Sequence, residues 1–285
     1  MKKFIVINMI LAAMCSQYVT AQQAQHEFSA VGGLGLGTLR YNLSMGDRNG
    51  RLGGDIGFGY TYFRGNEKVT GTGRIVTEDW GLHTGIEFGF YNAKSTVSGN
   101  IVTKELKDSE DDQFDMVSAL EKYKETQLMA LLNIPMMAQF AFDRYYVLGG
   151  LKLGIPLASR HKAKNTEVNN KGWYEKYENW MDQELQSQGF GTFVRDTKGK
   201  LKYGVSAMLS LEGGVKIRLR RKLSIYSGVY FDYGLNNIAK NNKDVFINFN
   251  SKDPEHFKIN SVLTANTDKV KVMAFGVKVR VAMVL

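Results

Sequence analysis

Histidines and carboxylates are the residues most able to do chemistry in this chain, and their spacing decides how much. The four histidines, His26, His83, His161 and His256, contain no i,i+4 pair and no metal-ligand spacing, so no metal centre is expected. His83 has Glu87 four residues along the same strand face, which would suit a base with its orienting carboxylate. A polar pair inside the fold is the plainer reading and the favoured one. The acidic run at 109–115 lacks the spacing of a calcium loop and reads as a solvated connection. Gly33, Gly35 and Gly37 do not match the dinucleotide-binding fingerprint, and their two-residue period is that of a strand. There they would leave space beside bulky neighbours. The single cysteine, Cys15, lies in a segment expected to be removed, which excludes disulfides, zinc-thiolate sites and cysteine nucleophiles from the mature chain. No catalytic constellation results, and the chain is expected to be neither an enzyme nor a cofactor binder.

The elements that must position these residues follow from composition and period. With 44% apolar residues the chain is no disordered protein, and 30 glycines against 3 prolines exclude proline-rich linkers. Lys2 and Lys3, an apolar stretch at 4–14 and the small-residue site at 19–21 form a signal peptide over 1–21, leaving one domain over 22–285. Its loss removes two lysines from a formal charge of +9, and the chain stays basic. Nucleic-acid binding is not expected, because the bases are interspersed with acids.

Eight stretches alternate apolar and polar residues, at 28–40, 52–62, 80–90, 128–142, 145–157, 203–219, 223–235 and 271–285. A period of two sustained this long outlasts ordinary globular strands and matches what a tilted strand needs to cross a bilayer. The polar parity carries Asp55, His83, Glu87, Lys152, Glu212, Lys216, Arg218, Asp232, Lys278 and Arg280, and these are assigned to a polar network in a barrel lumen. Tyr62, Trp80, Phe140, Phe142 and Tyr145 gather at one set of strand ends, and Phe90, Tyr203 and Tyr233 at the other, as two interfacial girdles. Connections alternate between tight (143–144 and 220–222) and long (91–126, 158–202 and 236–270), as in an antiparallel barrel with short periplasmic turns and long outer loops. The stretch 172–190 places Tyr174, Tyr177, Met181 and Leu185 near helical spacing. A short amphipathic helix is expected there, either with Trp173, Tyr174, Tyr177 and Trp180 as an outer-loop interaction surface or packed across the barrel mouth as a lid.

WGLHTGIEF at 80–88, LNIPMMAQF at 132–140, GGLKLGIP at 149–156, YFDYGLNNI at 230–238 and the closing GVKVR at 276–280 resemble the eight-stranded outer-membrane β-barrel family of Gram-negative bacteria. These are the PorT-like and OmpA-N-terminal-like barrels. The resemblance spans nearly all of 26–285. It implies an all-β, eight-stranded antiparallel transmembrane barrel in the cell outer membrane with a structural or surface-interaction role and no catalytic residues. Two departures stand out: the chain ends in Met-Val-Leu rather than an aromatic, and no periplasmic C-terminal domain is expected. The expected partners are outer-membrane lipid and lipopolysaccharide, with an extracellular or envelope protein at the outer loops. A narrow, porin-like pore for small solutes is the first alternative and a lipid-modifying outer-membrane enzyme the second. The enzyme is disfavoured because the lipid-facing parity lacks His, Asp and Glu.

Overall fold

The computed structural model describes residues 24–43, 46–69, 75–108, 110–182, 185–220, 222–240, 244–250, 253–265, 267 and 269–285. The signal peptide expected over 1–21 lies outside them. Among the described residues the chain runs through β1 (Ala24–Tyr41), β2 (Asp47–Gly50), β3 (Leu52–Val69), β4 (Ile75–Val97), β5 (Asn100–Lys107), β6 (Gln113–Phe142), β7 (Tyr145–Tyr174), β8 (Asn179–Met181), β9 (Gly191–Lys200), β10 (Ser206–Arg220), β11 (Leu223–Gly234), β12 (Ile247–Asn250), β13 (Asp253–Ile259), a short helix α1 (Val262–Ala265) and β14 (Val270–Val284).

Eight of these strands close on themselves. The antiparallel pairings run β1–β3–β4–β6–β7–β10–β11–β14 and return to β1, where Ala30 faces Val281 and Gly35 faces Gly276. Closure pairs both edges of every ring strand, which removes the exposed edge a sheet cannot show to an apolar solvent. The alternation read from the sequence sorts the two faces. Leu34, Ile56, Phe58, Ile86, Phe88, Leu151, Leu153, Leu211, Val277 and Val279 point outward and are exposed, while Ser29, Asp55, Glu87, Lys152, Glu212 and Lys278 point inward and are buried. On β7 the exposed apolar series runs from Tyr145 to Leu157. Twelve steps of ~3.3 Å on a strand tilted by about 40° give a belt roughly 30 Å tall. That height matches a hydrocarbon layer, and an apolar surface of this extent marks a site of contact with a membrane or a partner.

The far end of the barrel is built differently from the expected loops. The two 30-residue strands, β6 and β7, continue beyond the belt as a sheet flanked by β5 on one side and β8 and β9 on the other. A register shift between Ala130 and Leu131 marks where this extension begins. The stretch carries strand formers (Phe114, Val117, Tyr123 and Val168), so the ladder has no local reason to stop. The β12–β13 hairpin and α1 pack on the inner face of this sheet around Phe114, Met116, Leu120, Tyr123, Val168, Phe193, Phe246 and Phe257. Glu125 is wholly buried at their base, where Tyr123 Oη, Ser261 Oγ, the Val262 N–H and Gln127 Nε2 all donate to it. The link between β11 and β14 is thereby fastened across the barrel mouth.

Three expectations change. The stretch 172–190 is not an amphipathic helix; it holds the end of β7, a single 3-10 turn at Glu175–Tyr177, β8, and a second turn at Gln186–Gln188. Trp173 pairs with Trp180 across the β7–β8 ladder, and cross-strand aromatic contact outweighs the weak helical spacing of the tyrosines. Tyr203 does not join an aromatic girdle: it is buried with Leu201, Met208 and Ile238 in one apolar cluster. Arg218 keeps the inward parity but sits at the tight-turn end of β10, where it is exposed and faces Ser224.

Candidate functional site

The inward faces of the ring bring charged residues from seven strands into one column. Register determines who meets whom. Lys278 on β14 faces Gly33 on β1, and Gly33 in turn faces Asp55 on β3. Glycine lets the lysine reach across the intervening strand: a Cβ at Gly33 would stand 2.8 Å from the Asp55 carboxylate oxygens. Lys278 Nζ lies 3.4 Å from Asp55 Oδ1 and donates to Glu87 Oε1 at 3.1 Å. Lys152 Nζ lies 3.0 Å from Glu87 Oε2 and donates to Asp232 Oδ2 at 2.9 Å, while Ser210 Oγ donates to the other Asp232 oxygen.

Below this centre, towards the tight turns, Arg280 occupies the axis. Its Nη1 donates to Gln139 Oε1 at 3.1 Å and lies 3.2 Å from His83 Nδ1. Its Nη2 is 3.9 Å from Glu212 Oε1, which accepts from the Tyr146 hydroxyl at 3.0 Å. The guanidinium also stacks over the Tyr226 ring, 4.3 Å from its centroid. At the lowest level Lys216 Nζ lies 3.7 Å from Glu27 Oε2, which accepts from the Tyr226 hydroxyl at 3.0 Å. Above the centre, Leu39, Tyr91, Met129, Leu131, Met208 and Val272 are buried together. Buried charges are costly unless paired and hydrogen-bonded, and each of these ions has an opposite charge within 4 Å.

Of the residues assigned from the sequence to a lumen network, Asp55, His83, Glu87, Lys152, Glu212, Lys216, Asp232, Lys278 and Arg280 converge here, and Arg218 does not. Glu27, 1% exposed, belongs to the column and was missed. It stands on the inward parity one residue before the stretch that begins at Phe28, so extending that alternation by one position finds it. Buried acids therefore number five (Glu27, Asp55, Glu87, Glu212, Asp232) and buried bases four (Lys152, Lys216, Lys278, Arg280) among the described residues of the column.

The geometry also bears on the His83–Glu87 pair. His83 Nδ1 lies 2.8 Å from the Thr61 hydroxyl oxygen and 3.2 Å from Arg280 Nη1, and both Glu87 oxygens face lysines. Glu87 thus does not orient His83, whose Nδ1 is in contact with Thr61 and Arg280.

The outer tip holds the aromatic residues singled out from the sequence. Trp173 and Trp180 pack with their rings tilted, 5.1 Å between centroids, and Tyr174 stacks on Phe114 at 5.0 Å. Tyr177 and Trp180 are 56% and 48% exposed. Lys176 Nζ lies 2.8 Å from Asp112 Oδ1, and the Tyr177 hydroxyl donates to Asp112 Oδ2 at 2.6 Å, tying the β7 end to the β5–β6 turn. These donors hold the Asp112 carboxyl below its ordinary range, Lys176 first and Tyr177 second. The Tyr174 hydroxyl is pushed up to about 12 by burial and then by Asp108. The acidic run is thus drawn into turn contacts: Asp108 Oδ1 accepts from the Glu110 and Asp112 N–H groups, and Asp111 lies 3.7 Å from Lys107.

No family model matches the chain, and no curated protein matches it. Among solved structures it is similar to Ail, the attachment invasion locus protein of Yersinia pestis, solved in complex with the heparin analogue sucrose octasulfate. The identity is 12%, the match covers 91% of this chain and 99% of that one, and the TM-score is 0.32. A second similar structure is the copper transporter OprC, 12% identical, covering 93% of this chain and 43% of that one with a TM-score of 0.20. Likeness at this level assigns no ligand and no activity, and the closed all-β barrel rests on the strand pairings themselves.

Proposed function

We propose that this chain is an outer-membrane β-barrel protein of the cell envelope. Its lumen is filled by side chains, and its role is structural or surface-interacting rather than catalytic or conducting. The observation that carries the reading is the pairing of a continuous exposed apolar belt with an inward column of paired ions. A soluble barrel would bury the first face and expose the second. An eight-stranded barrel has an interior just wide enough for side chains, and here the acids and bases nearly balance instead of presenting one dominant sign at a constriction. The interaction surface is the outer extension, with Trp173, Tyr174, Tyr177 and Trp180 at its tip, rigid aromatics of the kind that anchor binding. Its partners are outer-membrane lipid, lipopolysaccharide among them, and an envelope or extracellular protein.

The test is reconstitution. Purified protein folded into lipid vesicles migrates differently in SDS before and after boiling, because a closed barrel keeps its strands hydrogen-bonded. In planar bilayers the same preparation gives no steady conductance. Solubility without detergent and identical mobility would refute the membrane barrel. Stable channels altered by Arg280→Ala would favour the pore.

A further inference from the structure

Just beyond the apolar belt the outward face of β7 changes from Leu153, Ile155 and Leu157 to Arg160, Lys162 and Lys164. The change takes three residues, about 10 Å of strand. Cross-strand register spreads the charge sideways. Lys94 on β4 faces Thr126 on β6, Thr126 faces Lys162, and Lys162 faces Lys198 on β9. Lys94, Lys124, Arg160, Lys162 and Lys164 line a cleft of about 620 Å³ together with Thr126, Leu128 and His161, and no acid lines it. None of these five cations forms a salt bridge among the described residues. Asp196, two residues before Lys198, accepts from the Asn165 N–H instead.

Like charges on neighbouring strands destabilise a sheet, so this row has a cost in the free protein that an anion would remove. We infer that the cleft binds the phosphate groups of an anionic lipid in the outer leaflet, with the acyl chains lying along Leu153, Ile155 and Leu157. The inference rests on the membrane reading above and names a ligand class for it. A lipid fits better than a soluble anion because charge and apolar belt are continuous on one strand. Phosphates at that height meet the row of cations while the chains meet the leucines.

The experiment compares wild type with Arg160→Gln/Lys162→Gln/Lys164→Gln, both folded into phosphatidylcholine vesicles. Retention of a phosphorylated glycolipid is read by native mass spectrometry, against its dephosphorylated form and against pyrophosphate as competitor. Wild type retains the phosphorylated lipid, less so at high salt, and the triple variant retains it at least about tenfold more weakly. Arg218→Gln, at the opposite end of the barrel, leaves retention unchanged. Equal retention by the triple variant, equal retention of the dephosphorylated lipid, or displacement by micromolar pyrophosphate would overturn the inference. The heat-dependent SDS mobility of the same samples separates the two readings. Wild type that fails to fold into the vesicles refutes the membrane barrel; wild type that folds but retains no phosphorylated lipid refutes only the lipid site.

Discussion

Lys152 is the cation whose loss the lumen should tolerate least. It is 1% exposed and donates to Asp232 at 2.9 Å, with Glu87 at 3.0 Å. Around and just below it the column holds four acids (Asp55, Glu87, Glu212, Asp232) and three bases (Lys152, Lys278, Arg280). Lys152→Met keeps the length and apolar stem but leaves four carboxylates facing two cations, with no cation near Asp232. Removing one partner of a buried pair costs about 3–5 kcal/mol, chiefly because the other is left charged and unpaired. Glu87→Gln should cost less, since Lys152 keeps Asp232 and Lys278 keeps Asp55 at 3.4 Å. Adding Asp232→Asn to Lys152→Met should recover at least half of the loss. The assay is urea unfolding in lipid vesicles, followed by tryptophan fluorescence and SDS mobility. The reasoning fails if Lys152→Met loses under about 1 kcal/mol, if Glu87→Gln is the more damaging, or if Asp232→Asn gives no recovery.

Leu209→Arg, on the outward face of β10, should cost roughly 2–4 kcal/mol and impair insertion, whereas Leu209→Ala inserts; equal insertion of the arginine variant would contradict the belt. Glu125→Ala leaves the Ser261 hydroxyl and the Val262 N–H without their acceptor, at about 1–3 kcal/mol each. Limited proteolysis should then cut the 236–269 connection faster while the ring stays heat-modifiable. At the tip the sign follows from a depressed carboxyl: the Asp112–Lys176 contact is complete above the ordinary Asp value of 3.8 and is lost as pH falls through the lower folded value. Emission from the nearby Trp173 and Trp180 should be flat from pH 8 to about 5 and change only below the ordinary range. A midpoint at or above that range would show that Lys176 does not hold the carboxylate.

The ring was legible in the sequence because a period of two leaves little freedom: once one face is apolar, a slip of one residue would turn every charge into the belt. Asp55, Glu87, Lys152 and Lys278 could be assigned inward on parity alone, but their partners could not. The Lys278–Asp55 contact depends on the register of three strands and on Gly33 between them. Arg218 misled because parity does not say where a strand leaves the barrel. The outer extension was read as loop because its strands alternate less cleanly, with Glu121 and Lys122 both exposed beside a register shift. The helix expected over 172–190 rested on three aromatic or apolar spacings, whereas the chain there reverses through a 3-10 turn between β7 and β8.

Closure of the ring in a bilayer is the claim on which everything else depends, and the seam between the first and last strands tests it. Ala30 and Val281 are direct partners there, both outward-facing, on the antiparallel β1–β14 ladder. Such partners stand within disulfide range, and the mature chain is expected to offer no competing thiol, its only cysteine being Cys15. In protein folded into vesicles, Ala30→Cys/Val281→Cys should cross-link under mild oxidation as readily as Ala30→Cys/Phe58→Cys, which joins the neighbouring strands β1 and β3. A cross-link only in the second pair would mean an open sheet and would contradict the barrel.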